Sequence, residues 1–153
     1  MPDTPTVAVR FGPSLSLWLE ILRHLDAATR SIDLATYQLT CDLLASKLLQ
    51  THTRGLDIRI IADKWHSNDP NSHIRELARH GVPAWLDDRH KAFHHKYIVI
   101  DKSTIITGSA NLTANARMYH AETLLTITNA PALATQFTQD FESHLAHSLR
   151  VTP

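Results

Sequence analysis

The sequence predicts an α/β fold in which helices cover a buried sheet, and three observations predict it. Short β-rich runs alternate with runs of helical apolar spacing, glycines stand where the helical runs must stop, and Leu56–Asp63 (LDIRIIAD) is a nearly continuous apolar strand of the kind covered on both faces. Thr6–Phe11 alternates as a strand; the turn Gly12–Ser14 then opens a helix with Leu15, Leu19 and Leu22 on one stripe. Ser31–Tyr37 is a β-branched and aromatic strand, and Asp42–His52 a helix carrying Leu43, Leu44, Leu48 and Leu49, closed by Gly55. Asn71–His80 predicts a short helix ended by Gly81, followed by a short strand at Val82–Leu86. His95–Ile100 and Thr104–Thr107 are strands joined across Asp101–Ser103, Thr123–Thr128 is a last strand, and Pro131–Leu149 is a closing helix with proline in its first turn. The expected architecture is thus a sheet of about seven strands in one domain over residues 1–153, with no repeat or low-complexity segment.

Composition narrows the function. At 153 residues, 43% hydrophobic and 20% charged, the chain can bury a core without a disulfide or metal staple, and no apolar run reaches the ~18–20 residues of a membrane span. The only cysteine, Cys41, reads as a small, partly buried thiol. A formal charge of zero argues against coating nucleic acid by bulk electrostatics. Charge is nevertheless clustered: Arg89, Lys91, Lys96 and Lys102 face one acid, Asp101, which predicts a positive site in a neutral protein. The opening MPDTPTVAVRF lacks the pattern of a secretory leader, so the chain as written is expected in the cytoplasm, or in the periplasm or outside the cell if a leader was removed.

Chemistry concentrates in FHHKYIVIDKSTIITGSANLT, Phe93 to Thr113, which fits H-x-K-x4-D-x6-G-S-x-N with His94, Lys96, Asp101, Gly108, Ser109 and Asn111. A chance match of six such positions has odds on the order of one in 10^5 or less. In an extended strand alternate side chains share a face, so His94 and Lys96 point into one pocket while His95, Tyr97 and Val99 face the other side. Gly108 permits a sharp turn after the next strand, where Ser109 and Asn111 offer hydrogen bonds to an anionic oxygen. An imidazole, an ammonium, a hydroxyl and an amide together suit a phosphate.

This segment resembles the HKD motif of the phospholipase D superfamily, and the length and single motif copy resemble its small bacterial endonucleases. The resemblance implies a phospholipase D-like fold, a mixed central sheet flanked by helices on both faces. It also implies that His94 is a covalent nucleophile, that Lys96, Ser109 and Asn111 bind phosphate, and that Asp101 and Gly108 support the site from outside the centre. Members of the family carry a glutamate about a dozen residues past the asparagine that orients the imidazole, a role that falls on Glu122. Trp65, in the loop after a strand, would stack on a base, and Arg89, Lys91 and Phe93 would line the approach to the motif.

The function expected is a metal-independent phosphodiesterase that cleaves nucleic acid through a phosphohistidine. A single motif copy calls for a homodimer with one composite site. No cysteine pair stands at C-x2-C spacing, and Asp87-Asp88 followed by His90 is too common a cluster to mark a metal site, so neither metal nor cofactor is expected. One rival is hydrolysis of lipid phosphodiesters by the same motif, which the lack of an amphipathic docking helix disfavours; no stable membrane association is expected. The other is a catalytically silent binding or dimerisation module, whose mark would be loss of the motif histidine or lysine, and both are present.

Overall fold

A computed structural model describes residues 4–153; the first positions of the opening segment, residues 1–3, lie outside the described residues. The elements in chain order are β1 (Thr6–Gly12), α1 (Leu15–Ala27), β2 (Ser31–Thr36), α2 (Asp42–Thr53), β3 (Asp57–Asp63), α3 (Ile74–Arg79), β4 (Ala84–Asp87), β5 (Lys96–Ile100), β6 (Thr104–Gly108), α4 (Ala114–Met118), β7 (Glu122–Thr128), α5 (Pro131–Leu145) and β8 (Leu149–Arg150), with a 3-10 turn at His66–Asn68. The strands form one eight-stranded sheet in the order β1-β7-β6-β5-β2-β3-β4-β8. The pairs β2·β3 and β3·β4 are parallel, as right-handed crossovers through α2 and α3 require, and every other pair is antiparallel, so the sheet is mixed.

Strand periodicity decides what each face buries. On one face Ile32, Leu34, Ile58, Ile60, Ile98 and Ile100 pack under α1, α2 and α3, which contribute Leu17, Ile21, Leu25, Leu44, Leu48, Ile74 and Leu77. On the other, Ala35, Ile61, Tyr97, Val99 and Ile105 pack under α5 through Ala134 and Phe141. Helix α1 starts where Ser14 accepts from the Ser16 amide at 3.0 Å, and α2 stops at Gly55, whose φ of 89° is open to glycine and strained for most residues. Cys41 is buried at the start of α2.

Several boundaries differ from expectation by one or two residues, as β4 does in running from Ala84 to Asp87 instead of Val82 to Leu86, and three differences shape the sheet or the site. The last helix ends at Leu145 rather than Leu149, because Ala146–Ser148 turn back on the carbonyls of Glu142, His144 and Leu145 and release Leu149–Arg150 as an eighth strand on β4. Helix α3 begins at Ile74, after Asn71 is held in a turn by the Asp69 carboxylate at 2.8 Å. Strand β5 begins at Lys96 rather than His95, which leaves His94 just outside the ladder. Among the described residues no helix is long and apolar enough to cross a membrane.

Candidate active site

The motif residues other than Asp101 lie at the end of the sheet where β5 begins and β6 ends. His94 is exposed, but the residue before it is not: Phe93 is 1% accessible, and its amide donates to Asp63 Oδ2 at 2.9 Å. A buried aromatic and a buried carboxylate therefore hold the backbone that presents His94. The imidazole packs edge-on against Tyr37, ring centroids 4.6 Å apart, and its Nε2 lies 3.2 Å from Lys96 Nζ. An ammonium can only donate, so Nε2 accepts and carries the lone pair, which places the neutral ring's proton on Nδ1. Lys96 also donates to the His94 carbonyl at 3.0 Å and lies over the Tyr37 ring. Burial pulls the Lys96 ammonium below its ordinary value, against the attraction of Glu122.

Gly108 closes β6 where nothing larger fits, since a Cβ there would collide with the Thr123 carbonyl. That close approach sets Ser109 against β7: the Ser109 hydroxyl accepts from the Thr123 amide at 3.0 Å and donates to Glu122 Oε2 in a short hydrogen bond. The other Glu122 oxygen is 3.7 Å from His120 Nδ1. Asn111 follows, its carboxamide oxygen buried without a hydrogen-bond partner. The next carbonyl, of Leu112, accepts from the Thr40 and Cys41 amides at 3.0 and 3.1 Å and ties the loop after β6 to the loop after β2.

Several sequence expectations change here. Glu122 does not hold the imidazole of its own chain; its partners are Ser109 and His120, because β7 delivers it beside the Gly108–Ser109 turn. Phe93 lines no groove, since its ring belongs to the core under α5. The positive segment is split by β5, with Arg89, Lys91 and Lys96 at the site end and Lys102 about 17 Å away at the far end of the strand. Trp65 is 70% exposed in the loop after β3, and Arg89 and Lys91 are exposed in the loop after β4, at the same edge as His94. His95 points away as expected, toward Asp140 on α5 at 3.4 Å. Tyr37 and Asp63, which brace His94, went unnoticed; both stand at C-terminal ends of parallel strands, a position that could have marked them.

Asp101 lies at the opposite end of the sheet, in the β5–β6 turn. Its Oδ1 accepts from the Arg30 and Ser31 amides at 2.7 and 2.9 Å, and Oδ2 from the Thr29 amide and hydroxyl at 2.9 and 3.1 Å. Burial pushes this carboxyl up, but the Ser31, Thr29 and Arg30 bonds outweigh it and hold the group below its usual range. The motif aspartate thus clamps the hairpin that carries Lys96 to the loop before β2.

The chain has clear relatives. The family model described as "Cardiolipin synthase, PLD-like domain" matches residues 21–145. The mitochondrial cardiolipin hydrolase of Xenopus tropicalis is 32% identical over 127 residues, covering 83% of this chain and 60% of the relative. The phospholipase D of Rickettsia bellii (strain RML369-C) is 30% identical over 142 residues, 93% of this chain and 70% of that one. This chain therefore spans only about 60% of the length of the cardiolipin hydrolases it matches. Among solved structures, Nuc from Salmonella typhimurium, a phospholipase D family member, superposes with a TM-score of 0.95 at 27% identity, covering 98% of this chain and 100% of that one. NucT from Helicobacter pylori, at 20% identity and a TM-score of 0.87, shares the fold. With the eight-stranded mixed sheet and the His94–Lys96 pair at its edge, these matches establish that the chain belongs to the phospholipase D superfamily.

Proposed function

We propose that this chain is a phosphodiesterase acting on nucleic acid, with His94 as nucleophile, in a homodimer that brings two copies of the site together. The observation that carries the proposal is His94 Nε2 held 3.2 Å from Lys96 Nζ, whose ammonium can only donate. That geometry gives an unprotonated nitrogen beside a fixed cation, the pair needed to attack an anionic phosphorus centre. Nε2 forms the P–N bond as the P–O bond to the leaving group breaks, a second imidazole protonates the departing oxygen, and water then cleaves the P–N bond and restores His94. Lys96, Ser109 and Asn111 bind the phosphoryl oxygens. An ammonium at the centre, with Glu122 already bonded to Ser109 and Asp63 to the Phe93 amide, suits an anion better than a divalent cation.

The second imidazole is the reason for the dimer. Val7, Val9 and Phe11 on edge strand β1 are 63%, 43% and 64% exposed. This apolar edge reaches the site, since Gly12 pairs with Glu122 and Phe11 with Thr123. A two-fold mate on that edge would supply the leaving-group acid, and Glu122, which does not touch the imidazole of its own chain, could align that of the mate. The cations and Trp65 on the rim favour a polyanion with bases. The cardiolipin hydrolase and phospholipase D relatives favour a lipid phosphodiester, and one assay separates the two. Wild type and His94→Ala are incubated with single-stranded DNA, RNA and cardiolipin vesicles. Wild type should cut nucleic acid and leave lipid intact, and folded His94→Ala should do neither. Turnover of lipid alone would overturn the substrate assignment; cleavage by His94→Ala within tenfold of wild type would overturn the nucleophile.

A further inference from the structure

Away from the proposed catalytic pair, three histidines converge on a buried carboxylate. Asp87 ends β4 with its side chain wholly inaccessible. His90 comes from the turn after β4, His144 from the last turn of α5, and His147 from just beyond it. His147 Nε2 is 2.7 Å, His90 Nδ1 3.0 Å and His144 Nδ1 3.8 Å from the same oxygen, Asp87 Oδ2. One ligand atom from each residue fits in a set whose members all lie within 4.8 Å of one another.

We propose that Asp87, His90, His144 and His147 form a structural site for a zinc-class divalent cation. Bonds of about 2.0–2.1 Å to a tetrahedral ion put neighbouring ligand atoms roughly 3.3–3.4 Å apart. The three carboxylate-to-imidazole distances, 2.7, 3.0 and 3.8 Å, straddle that edge, so closure on an ion needs only sub-ångström shifts. Three imidazole nitrogens and one carboxylate oxygen are borderline ligands that suit zinc rather than calcium or magnesium. Four protein ligands also fill a tetrahedron, which marks a structural site and not one open to substrate.

Charge balance alone does not account for the cluster. One protonated imidazole would neutralise Asp87, yet three surround it, and His144 Nδ1 is buried with no hydrogen-bond partner. The other nitrogen of that ring lies 3.4 Å from Asp140 Oδ1, and the second Asp140 oxygen accepts from the Tyr97 hydroxyl at 2.7 Å. A carboxylate behind Nε2 keeps the proton there and frees Nδ1 to ligate, the outer arrangement common to metal-bound histidines. Spacing in the sequence hid the site, because the ligands come as D-x2-H and H-x2-H pairs from two distant segments. An ion here would tie the loop after β4 to α5. That loop leads into Phe93, which packs on His144 with centroids 5.1 Å apart, and then His94.

The test begins with metal analysis of purified protein, then removal by chelation and titration with Zn(II) and Co(II). We expect one ion per chain, the visible absorption of tetrahedral Co(II), and a Tm raised by roughly 5–10 °C when free zinc is a hundredfold above Kd. His147→Ala and His90→Ala, the latter at a partly exposed position that should tolerate truncation, are expected to lose the ion while remaining folded by circular dichroism. His73→Ala, at a separate surface cluster with Asp42 and Glu76, should keep it. The same titration in His94→Ala should be unchanged, so the metal site stands or falls apart from the proposed chemistry. Failure to bind zinc, or binding that survives both His147→Ala and His90→Ala, would overturn the proposal.

Discussion

Asp101→Asn separates the supporting role of the motif aspartate from a catalytic one. Asn tolerates the left-handed backbone that Asp101 adopts, with φ of 53°, so the substitution leaves the turn and changes the clamp. Its oxygen can still accept from the Arg30 and Ser31 amides. The new NH2 group then faces the Thr29 amide and hydroxyl, which Oδ2 now accepts at 2.9 and 3.1 Å. A hydrogen bond to a charged group contributes about 1.5–3 kcal/mol, and water recovers part of it in a half-buried turn, so the loss is about 2–3 kcal/mol. For a chain of this size that lowers Tm by roughly 5–10 °C. The pH dependence has a definite sign. A carboxyl held below its unfolded value stabilises the fold above that value, about 3.9, and the contribution disappears as pH falls through the lower folded value. The gap between wild type and variant should be full near neutral pH and shrink in acid. Thermal melts across pH, with kcat measured on folded protein well below Tm, provide the assay. A variant melting within about a degree of wild type but losing more than tenfold in kcat would refute the structural role.

Four further outcomes are expected. Glu122→Gln should lower kcat on the order of 10–10^3-fold with little change in KM, because a positioning charge is lost while the nucleophile remains; unchanged kinetics would return Glu122 to a fold-supporting role. Phe11→Asp should yield a monomer by sedimentation with activity severely reduced, and heterodimers of His94→Ala with wild type should be severely impaired; an active monomer, or half activity in each mixed dimer, would show that each chain works alone. In excess EDTA, turnover at temperatures where the chain stays folded should persist while Tm falls; activity lost on chelation and restored by magnesium, without unfolding, would place a metal in the reaction.

Much of the fold was legible in the sequence because it rests on local signals. LDIRIIAD could only be a strand covered on both sides, and glycines marked the ends of α2 and α3. What failed was tertiary in origin. The two-residue β8 has no pattern of its own and exists because β4 offers an edge. Phe93 looked like a groove residue because its neighbours Arg89 and Lys91 are charged, whereas packing under α5 decides its place. The spacing of His94, Lys96, Ser109 and Asn111 picked out side chains that gather at one sheet edge. It could not reveal that Glu122 would meet Ser109 instead of the imidazole, since that depends on how β6 and β7 register.

The placement of β1 has a consequence for how the chain folds as it is made. Among the described residues this strand pairs only with β7, Thr6 opposite Thr128 and Gly12 opposite Glu122, at the far side of the intervening elements. At roughly 5–20 residues per second, the segment between Gly12 and Glu122 takes about 5–20 s to synthesise. Helices α1 and α2 and the parallel core of β2, β3 and β4 can assemble in that interval, but β1 must wait without its partner strand. Its hydrogen bonds must wait for β7, with only the two-residue pairing of β8 on β4 still later in the chain, and the nascent chain presents an unpaired apolar strand until they close.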